Sequence, residues 1–425
     1  MSILIKGGYI VDPENKLEGV YDILIDDGEI KKIEKDIDSE KCELIDGKGK
    51  YIFPGLVDMH CHLREPGRED EETLLSGSLS GIKGGFTTLC CMPNTKPPID
   101  NQGIVEYIYN ENKKIGLMDI FPVGAITKNL EGKELTEIGE LKKAGVVAIS
   151  DDGNCVMDSE VMRRAMEYSK MFDLLVISHC EDKNLSRGGL MNEGYLSSLL
   201  GLKGIPRQAE IVMVARDIEL AKLTEAKLHI AHVSTKETVE LIRQAKKRGI
   251  KVTAETCPHY FSLTEERILG YNTNCKVNPP LRTPEDIEAI KEGLRDGTID
   301  VIATDHAPHA DFEKDVEFEQ ASFGMIGLET ALGIALKELI KTKIISLSQL
   351  VEKMSLNPAK ILGLDKGSIN IGKPADLIIV DLDKSWEVKR EKIVSKSKNT
   401  PFLNWTLPGV IEYVFAKGKL VLNKN

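Results

Sequence analysis

The sequence predicts an α/β protein: a (β/α)8 TIM-like barrel with a small composite β-sandwich domain formed by both chain ends. Three observations carry this prediction. Eight short apolar runs alternate with helix-like segments through the middle of the chain. Both ends instead hold short strand-like runs separated by Gly, Asp and Asn. Seven of the eight histidines fall at or just beyond the ends of the central strands, the rim where barrel active sites form.

In chain order, Ile3 to Ile5, Tyr21 to Ile25 and Ile30 to Ile33 read as strands, and Asp26-Asp27-Gly28 is a hairpin-turn signal. The eight barrel strands fall within 52–62, 85–95, 117–126, 146–152, 174–181, 228–234, 251–260 and 300–309. Amphipathic runs over 159–172, 208–224 and 235–249 predict helices between them, and two further helices are expected around 323–340 and 347–360. Continuous apolar strands alternating with helices indicate a parallel sheet covered on both faces. Ala375 to Asp381, Val410 to Phe415 and Lys419 to Leu422 return to the style of the first residues. Neither end carries enough apolar material alone, so the chain is expected to leave one small domain and come back to it. The expected units are 1–54 and 364–425 for that domain and 55–363 for the barrel.

Composition narrows the function. Of 425 residues, 67 are acidic and 56 basic, a net charge of −11, and no basic stripe is visible. That argues against an electrostatic nucleic-acid binder. There is no apolar stretch of membrane-spanning length and no secretory leader pattern, so no membrane partner is expected. Eight cysteines without a CxxC pair read as reduced, mostly buried thiols in a cytoplasmic protein. HExxH, GxSxG, GxxxxGK[ST] and GxGxxG are all missing, against a thermolysin-like protease, a serine hydrolase, a P-loop enzyme and a dinucleotide-binding fold.

The histidine pattern is more specific. His60 and His62 are two apart on one strand, so both imidazoles can face the barrel axis with Cys61 turned away. His179, His232 and Asp305 end other strands, and imidazoles and carboxylates converging on one axis are metal-ligand types. Asp151-Asp152-Gly153 ends the fourth strand; one carboxylate can bridge two metals, and strand phase does not choose between the two. A metal lowers the pKa of bound water, and Asp305 beside it can exchange a proton with that water. Arg64, Asn94, Asn278 and His309 share the same rim, where a guanidinium fork suits a substrate carboxylate.

These motifs resemble the dihydroorotases of the amidohydrolase superfamily, of the bacterial type with an aspartate where many relatives use a carboxylated lysine. The resemblance spans essentially the whole chain. It is carried by Gly55 to Gly67, Met92-Pro93-Asn94-Thr95, Ser150 to Gly153, Val277 to Arg282, Ala303 to His309 and Gly324 to Thr330. It implies one or two zinc ions, with His60, His62 and Asp305 on one, His179 and His232 on the second, and Asp152 as the bridge. It implies substrate contacts from His62, Leu63, Arg64, Asn94 and His309 around a carboxylate, and from Asn278, Phe323 and Gly324 around a pyrimidine ring. The segment 309–322 matches a mobile loop. The implied reaction is the reversible cyclisation of N-carbamoyl-L-aspartate to (S)-dihydroorotate, the third step of pyrimidine synthesis, through zinc-activated hydroxide and Asp305 as general base and acid. A homo-oligomer and a complex with aspartate transcarbamoylase are the implied assemblies. The competing expectations are an allantoinase- or hydantoinase-like cyclic-amide hydrolase, and an inactive scaffold partner of aspartate transcarbamoylase.

Overall fold

The computed structural model describes residues 2–38 and 42–424. The first strands are β1 (Ser2–Asp12), β2 (Leu17–Asp26), β3 (Glu29–Glu34), β4 (Glu43–Asp46) and β5 (Tyr51–Pro54). The β2–β3 turn is the expected one: Asp27 and Gly28 both have positive φ, 49° and 80°, matching a turn whose twist suits the strands it joins.

One residue after β5 the chain enters the barrel, through β6 (Leu56–Cys61), β7 (Phe86–Cys91) and β8 (Asp119–Pro122). A one-residue break at Val123 separates β8 from β9 (Gly124–Ala125), and together they form the third stave. Next come β10 (Ala148–Ser150) and β11 (Leu175–Ser178). The two short strands β12 (Met191–Asn192) and β13 (Gly204–Ile205) pair only with each other in the excursion after β11. The remaining staves are β14 (Leu228–Ile230), β15 (Val252–Thr256) and β16 (Val301–Ile302). All ladders between staves are parallel. The circle closes where Asp305 N donates to His60 O at 3.0 Å and His62 N donates to His306 O at 2.8 Å. Closure therefore runs through the residues of the predicted site.

Helices cover the outside. Ser159–Lys170, Gln208–Thr224 and Lys236–Lys247 match the three amphipathic runs. Asp158 and Thr235 cap two of them by accepting from backbone N–H groups of the first turn. The helix expected from 323 begins only at Ala331. Residues 323–327 are instead held as non-helical rim, ahead of a turn over 328–330: Gly324 N donates to Lys276 O, Ala307 N to Met325 O and Ile326 N to Asn399 O. Those bonds outcompete local helix propensity. The last expected helix runs on as one curved stretch from Leu347 to Leu362, with a wider turn in its middle.

The chain ends with β17 (Leu377–Glu387), β18 (Thr406–Ala416) and β19 (Lys419–Asn423). They join the first strands in one eight-stranded sheet, ordered β19-β18-β17-β5-β1-β2-β3, with β4 on β1. The expected sandwich is thus a single sheet wrapped round its own core of Ile3, Ile5, Ile10, Ile23, Ile25, Leu377, Ile379 and Phe415. Its far edge meets the C-terminal hairpin so closely that a Cβ on Gly28 would lie 2.9 Å from Gly418 O. No helix among the described residues is long and apolar enough to cross a membrane.

Candidate active site

Six side chains converge on the barrel axis at the C-terminal ends of the staves. His60 is the penultimate residue of β6 and His62 follows the strand directly, and both point inward as their spacing requires. His62 Nε2 lies 3.1 Å from Asp305 Oδ1 and 3.5 Å from Asp152 Oδ2. His60 Nε2 lies 3.5 Å from Asp152 Oδ1 and 3.6 Å from Asp305 Oδ1. Across the axis, His179 Nδ1 and His232 Nε2 are 2.8 Å apart, each 3.4 Å from Asp152 Oδ1. The two aspartates of the fourth stave separate cleanly. Asp151 turns outward and accepts from Ile126 N, Thr127 N and Thr127 Oγ1, while Asp152 alone faces the four imidazoles.

This centre fits a cation. His60 Nε2 and Asp152 Oδ1 are buried without a hydrogen-bond partner, although they face each other. Buried polar atoms are rarely left so, and a set of them aimed at one point suits a metal. One donor atom from each of His60, His62 and Asp305 lies within 4.8 Å of the others, and the same holds for His60, Asp152 and His232. Burial opposes charge on both aspartates. His60, His179 and His232 overcome it at Asp152, and His62 and His60 at Asp305, so both carboxyls stay well below the usual range. His232, Asp305 and Arg64 all have positive φ, at 34°, 46° and 63°. Such strain costs on the order of 1–3 kcal/mol per residue and persists where the surroundings over-determine it.

A layer of acids holds the imidazoles. Glu255, wholly buried, meets His60 Nδ1 at 2.5 Å and His229 Nε2 at 3.2 Å, and His229 Nδ1 meets Thr253 Oγ1 at 2.7 Å. Burial raises the Glu255 pKa, but His60 and His229 bring it down to about 2. Glu181 lies 3.1 Å from His179 Nε2 and accepts from Asn278 Nδ2 at 2.9 Å. Carboxylates behind ligating imidazoles fix ring orientation and raise basicity. The residue-by-residue reading passed over both acids. Their signal was an isolated acid inside or closing an apolar strand, as in Val252-Thr253-Ala254-Glu255-Thr256.

Above the centre opens a cavity of about 610 Å³. Its walls include His62, Arg64, Asn94, Asn278, His309, Phe323 and Gly324, along with Asp152, His179, His232 and Asp305. Asn94 Oδ1 takes His62 Nδ1 at 2.8 Å, which leaves its amide nitrogen as the donor toward the cavity. Leu63 is not brought to the cavity: its side chain is buried in the core, against Gly77. His306, at the rim in sequence, is structural; it meets Glu72 Oε2 at 3.2 Å and accepts from Gly327 N. Cys180 turns away from the axis toward Ser178 and Asp217. Burial pushes the neighbouring His259 imidazole down to about 4, and its Nε2 is also without a partner.

Comparison with known proteins agrees with this architecture. A family profile described as Dihydro-orotase-like matches residues 49–238, and one described as Amidohydrolase family matches 207–422. A protein named dihydroorotase from Acetivibrio thermocellus is 55% identical over 422 residues, 99% of each chain. One from Ruminiclostridium cellulolyticum is 55% identical over 424 residues, 100% of this chain and 99% of its own. The chain belongs to the dihydroorotase family. Among solved structures, the L-hydantoinase (dihydropyrimidinase) from Arthrobacter aurescens superposes with a TM-score of 0.88 at 27% identity, over 100% of this chain and 96% of that one. Within the dihydroorotase family, then, the chain keeps a scaffold shared with hydantoinases. Its strand-four carboxylate, Asp152, stands on a stave with no lysine, Ala148-Ile149-Ser150-Asp151-Asp152.

Proposed function

We propose that the chain interconverts N-carbamoyl-L-aspartate and (S)-dihydroorotate, with release or uptake of water, as the third step of pyrimidine synthesis. The observation that carries this reading is a juxtaposition. A cation-seeking cluster of four imidazoles and two carboxylates lies directly beneath a rim of Arg64, Asn94 and His309 suited to an anion. Full-length relatives named dihydroorotase support it.

In this reading His60, His62 and Asp305 would hold one zinc, His179 and His232 would hold a second where two are bound, and Asp152 would serve both. Zinc bound there supplies Lewis acidity toward the amide carbonyl and a water of lowered pKa. Asp305, ionised and 3.1 Å from His62, accepts the proton of the attacking water and returns it to the departing ring nitrogen. Arg64, Asn94 and His309 grip the substrate carboxylate. Asn278 and the backbone at Phe323 and Gly324 take the ring edge, with Leu63 contributing no side chain. The same proposal includes a cytoplasmic location, a homo-oligomer and a complex with aspartate transcarbamoylase; sedimentation with and without that enzyme reads the two assemblies.

The likeness to a hydantoinase structure favours one second reading, hydrolysis of other cyclic amides. Purified, zinc-loaded protein assayed in parallel on dihydroorotate, allantoin and hydantoin decides between them. Dihydroorotate is expected to be turned over preferentially. Preference for hydantoin would overturn the reading, and no turnover of any of the three would point to the inactive-scaffold alternative.

A further inference from the structure

Glu71 and Glu72 are adjacent buried acids that lie behind the rim, and no step above uses either of them. Glu72 serves the fold: it meets His306, Ser76 and Ser395 and accepts from Lys396 N. Glu71 is 2% exposed and faces Arg64 and His309 of the rim. Its Oε2 lies 3.0 Å from Arg64 Nε, and its Oε1 lies 2.9 Å from His309 Nδ1 and 3.1 Å from Arg68 Nη2. Arg68 Nη2 in turn reaches Glu313 Oε1 at 3.0 Å.

We propose that Glu71 is a positioning residue for the substrate carboxylate: it touches no substrate, and it aims Arg64 and His309 at the cavity. The geometry of the guanidinium carries the argument. Arg64 Nε is engaged by Glu71 and by Pro308 O, at 3.0 and 3.1 Å. A guanidinium is a planar fork, so fixing Nε fixes where the terminal nitrogens point. Those terminal nitrogens form the edge that can take a carboxylate in two parallel hydrogen bonds. His309 is fixed from the same carboxylate. Its Nδ1 donates to Glu71, which orients the ring so that Nε2 stands 3.4 Å from Arg64 Nη2 and 2.8 Å from Phe323 O. One buried acid thus sets the spacing of a guanidinium and an imidazole on separate loops. Glu71, His309 and Glu313 also form an acid-and-imidazole cluster of the kind that can hold a metal. The guanidinium of Arg68 already sits between the two carboxylates, and that of Arg64 contacts Glu71, so a metal there is disfavoured.

The inference rests on the reading that Arg64 and His309 bind the substrate carboxylate, and the test separates the two. Zinc-loaded E71Q is expected to raise KM for dihydroorotate ~10- to 100-fold, the effect of losing charge-assisted bonds that orient a binding group, with kcat held within about threefold. If E71Q fails to fold, E71D carries the same expectation, since it keeps the charge but withdraws the carboxylate by one methylene. E72Q, the same chemical change one residue on, is expected to lower the melting temperature and leave KM within about twofold. An E72Q KM as high as that of E71Q would overturn the proposal, because general loosening would then explain both. R64M completes the set. A raised KM in R64M with an unchanged KM in E71Q would overturn the role of Glu71 alone. Unchanged KM in both would overturn the carboxylate reading itself.

Discussion

The axis and the rim of this barrel are built on opposite principles. Axis side chains come from strand ends, line the floor of the cavity, and leave polar atoms such as His60 Nε2 and Asp152 Oδ1 unmatched. Rim side chains come from loops and satisfy one another, as Arg64, His309 and Glu71 do. An unmatched buried set demands a guest of opposite charge, whereas a mutually paired set trades partners when a guest arrives. In the proposed function the first would hold a resident ion and the second a substrate that comes and goes.

Substitutions sharpen this contrast in order of size. D305N keeps the shape of the axis and removes its proton acceptor; kcat for dihydroorotate is expected to fall ~10²- to 10⁴-fold with zinc largely retained, read by steady-state rates beside metal analysis. A near-normal kcat would remove Asp305 from proton transfer. E255Q disturbs the axis from behind, where the acid orients His60. Zinc affinity is expected to drop ~10- to 100-fold, measured by competition with a chromogenic chelator, and undiminished affinity would show that the acid layer does not tune the ligands. H309A acts on the rim, so KM is expected to rise about tenfold while zinc content is unchanged; loss of zinc would erase the distinction between the two regions.

The smallest effect concerns the loop that borders the rim. Lys314 is buried, with its ammonium on Ser322 O and Gly324 O, and Lys276 is similarly placed on Phe318 O and Glu319 O. Burial lowers Lys314 to about 7 and Lys276 to about 8. A lysine whose folded value lies below its unfolded value of 10.5 binds fewer protons when folded between those two pH values. Its contribution to stability therefore improves as pH rises from about 7 toward 10.5. In K314M the melting temperature is expected to gain less over that window than in the parent, by calorimetry; an unchanged slope would show that burial does not lower the pKa of Lys314.

Much of this was legible in the sequence because barrel staves are apolar on both faces and need no alternation to be recognised. The strand ends were legible as well, since His60 and His62 obey the two-residue period up to the last bonded position. The period fails one residue later. β10 stops at Ser150, so Asp151 and Asp152 lie beyond the ladder, and their directions follow from Thr127 and the imidazoles rather than from phase. Glu181 likewise lies beyond the end of β11, where phase does not give its direction. Glu255 was hidden for a different reason: an acid in an apolar strand has no meaning until its partner, 195 residues away at His60, is brought beside it. The late start of the helix at Ala331 has the same origin. Residues near 324 are claimed by Lys276 and Asn399, neither of which is local.

The segment before β18 has a consequence for how the protein is made. Lys396 N donates to Glu72 and Ser397 Oγ to the Glu71 carbonyl, while Asn399 bonds Ala307 O, Gly324 O and His309 N. All six axis side chains have been synthesised by Asp305, but residues that brace the rim are added some ninety positions later. A chain interrupted between those points would carry every axis side chain but would lack that brace on its rim. The rim therefore closes only once residues 396–399 have been made and have packed back onto it.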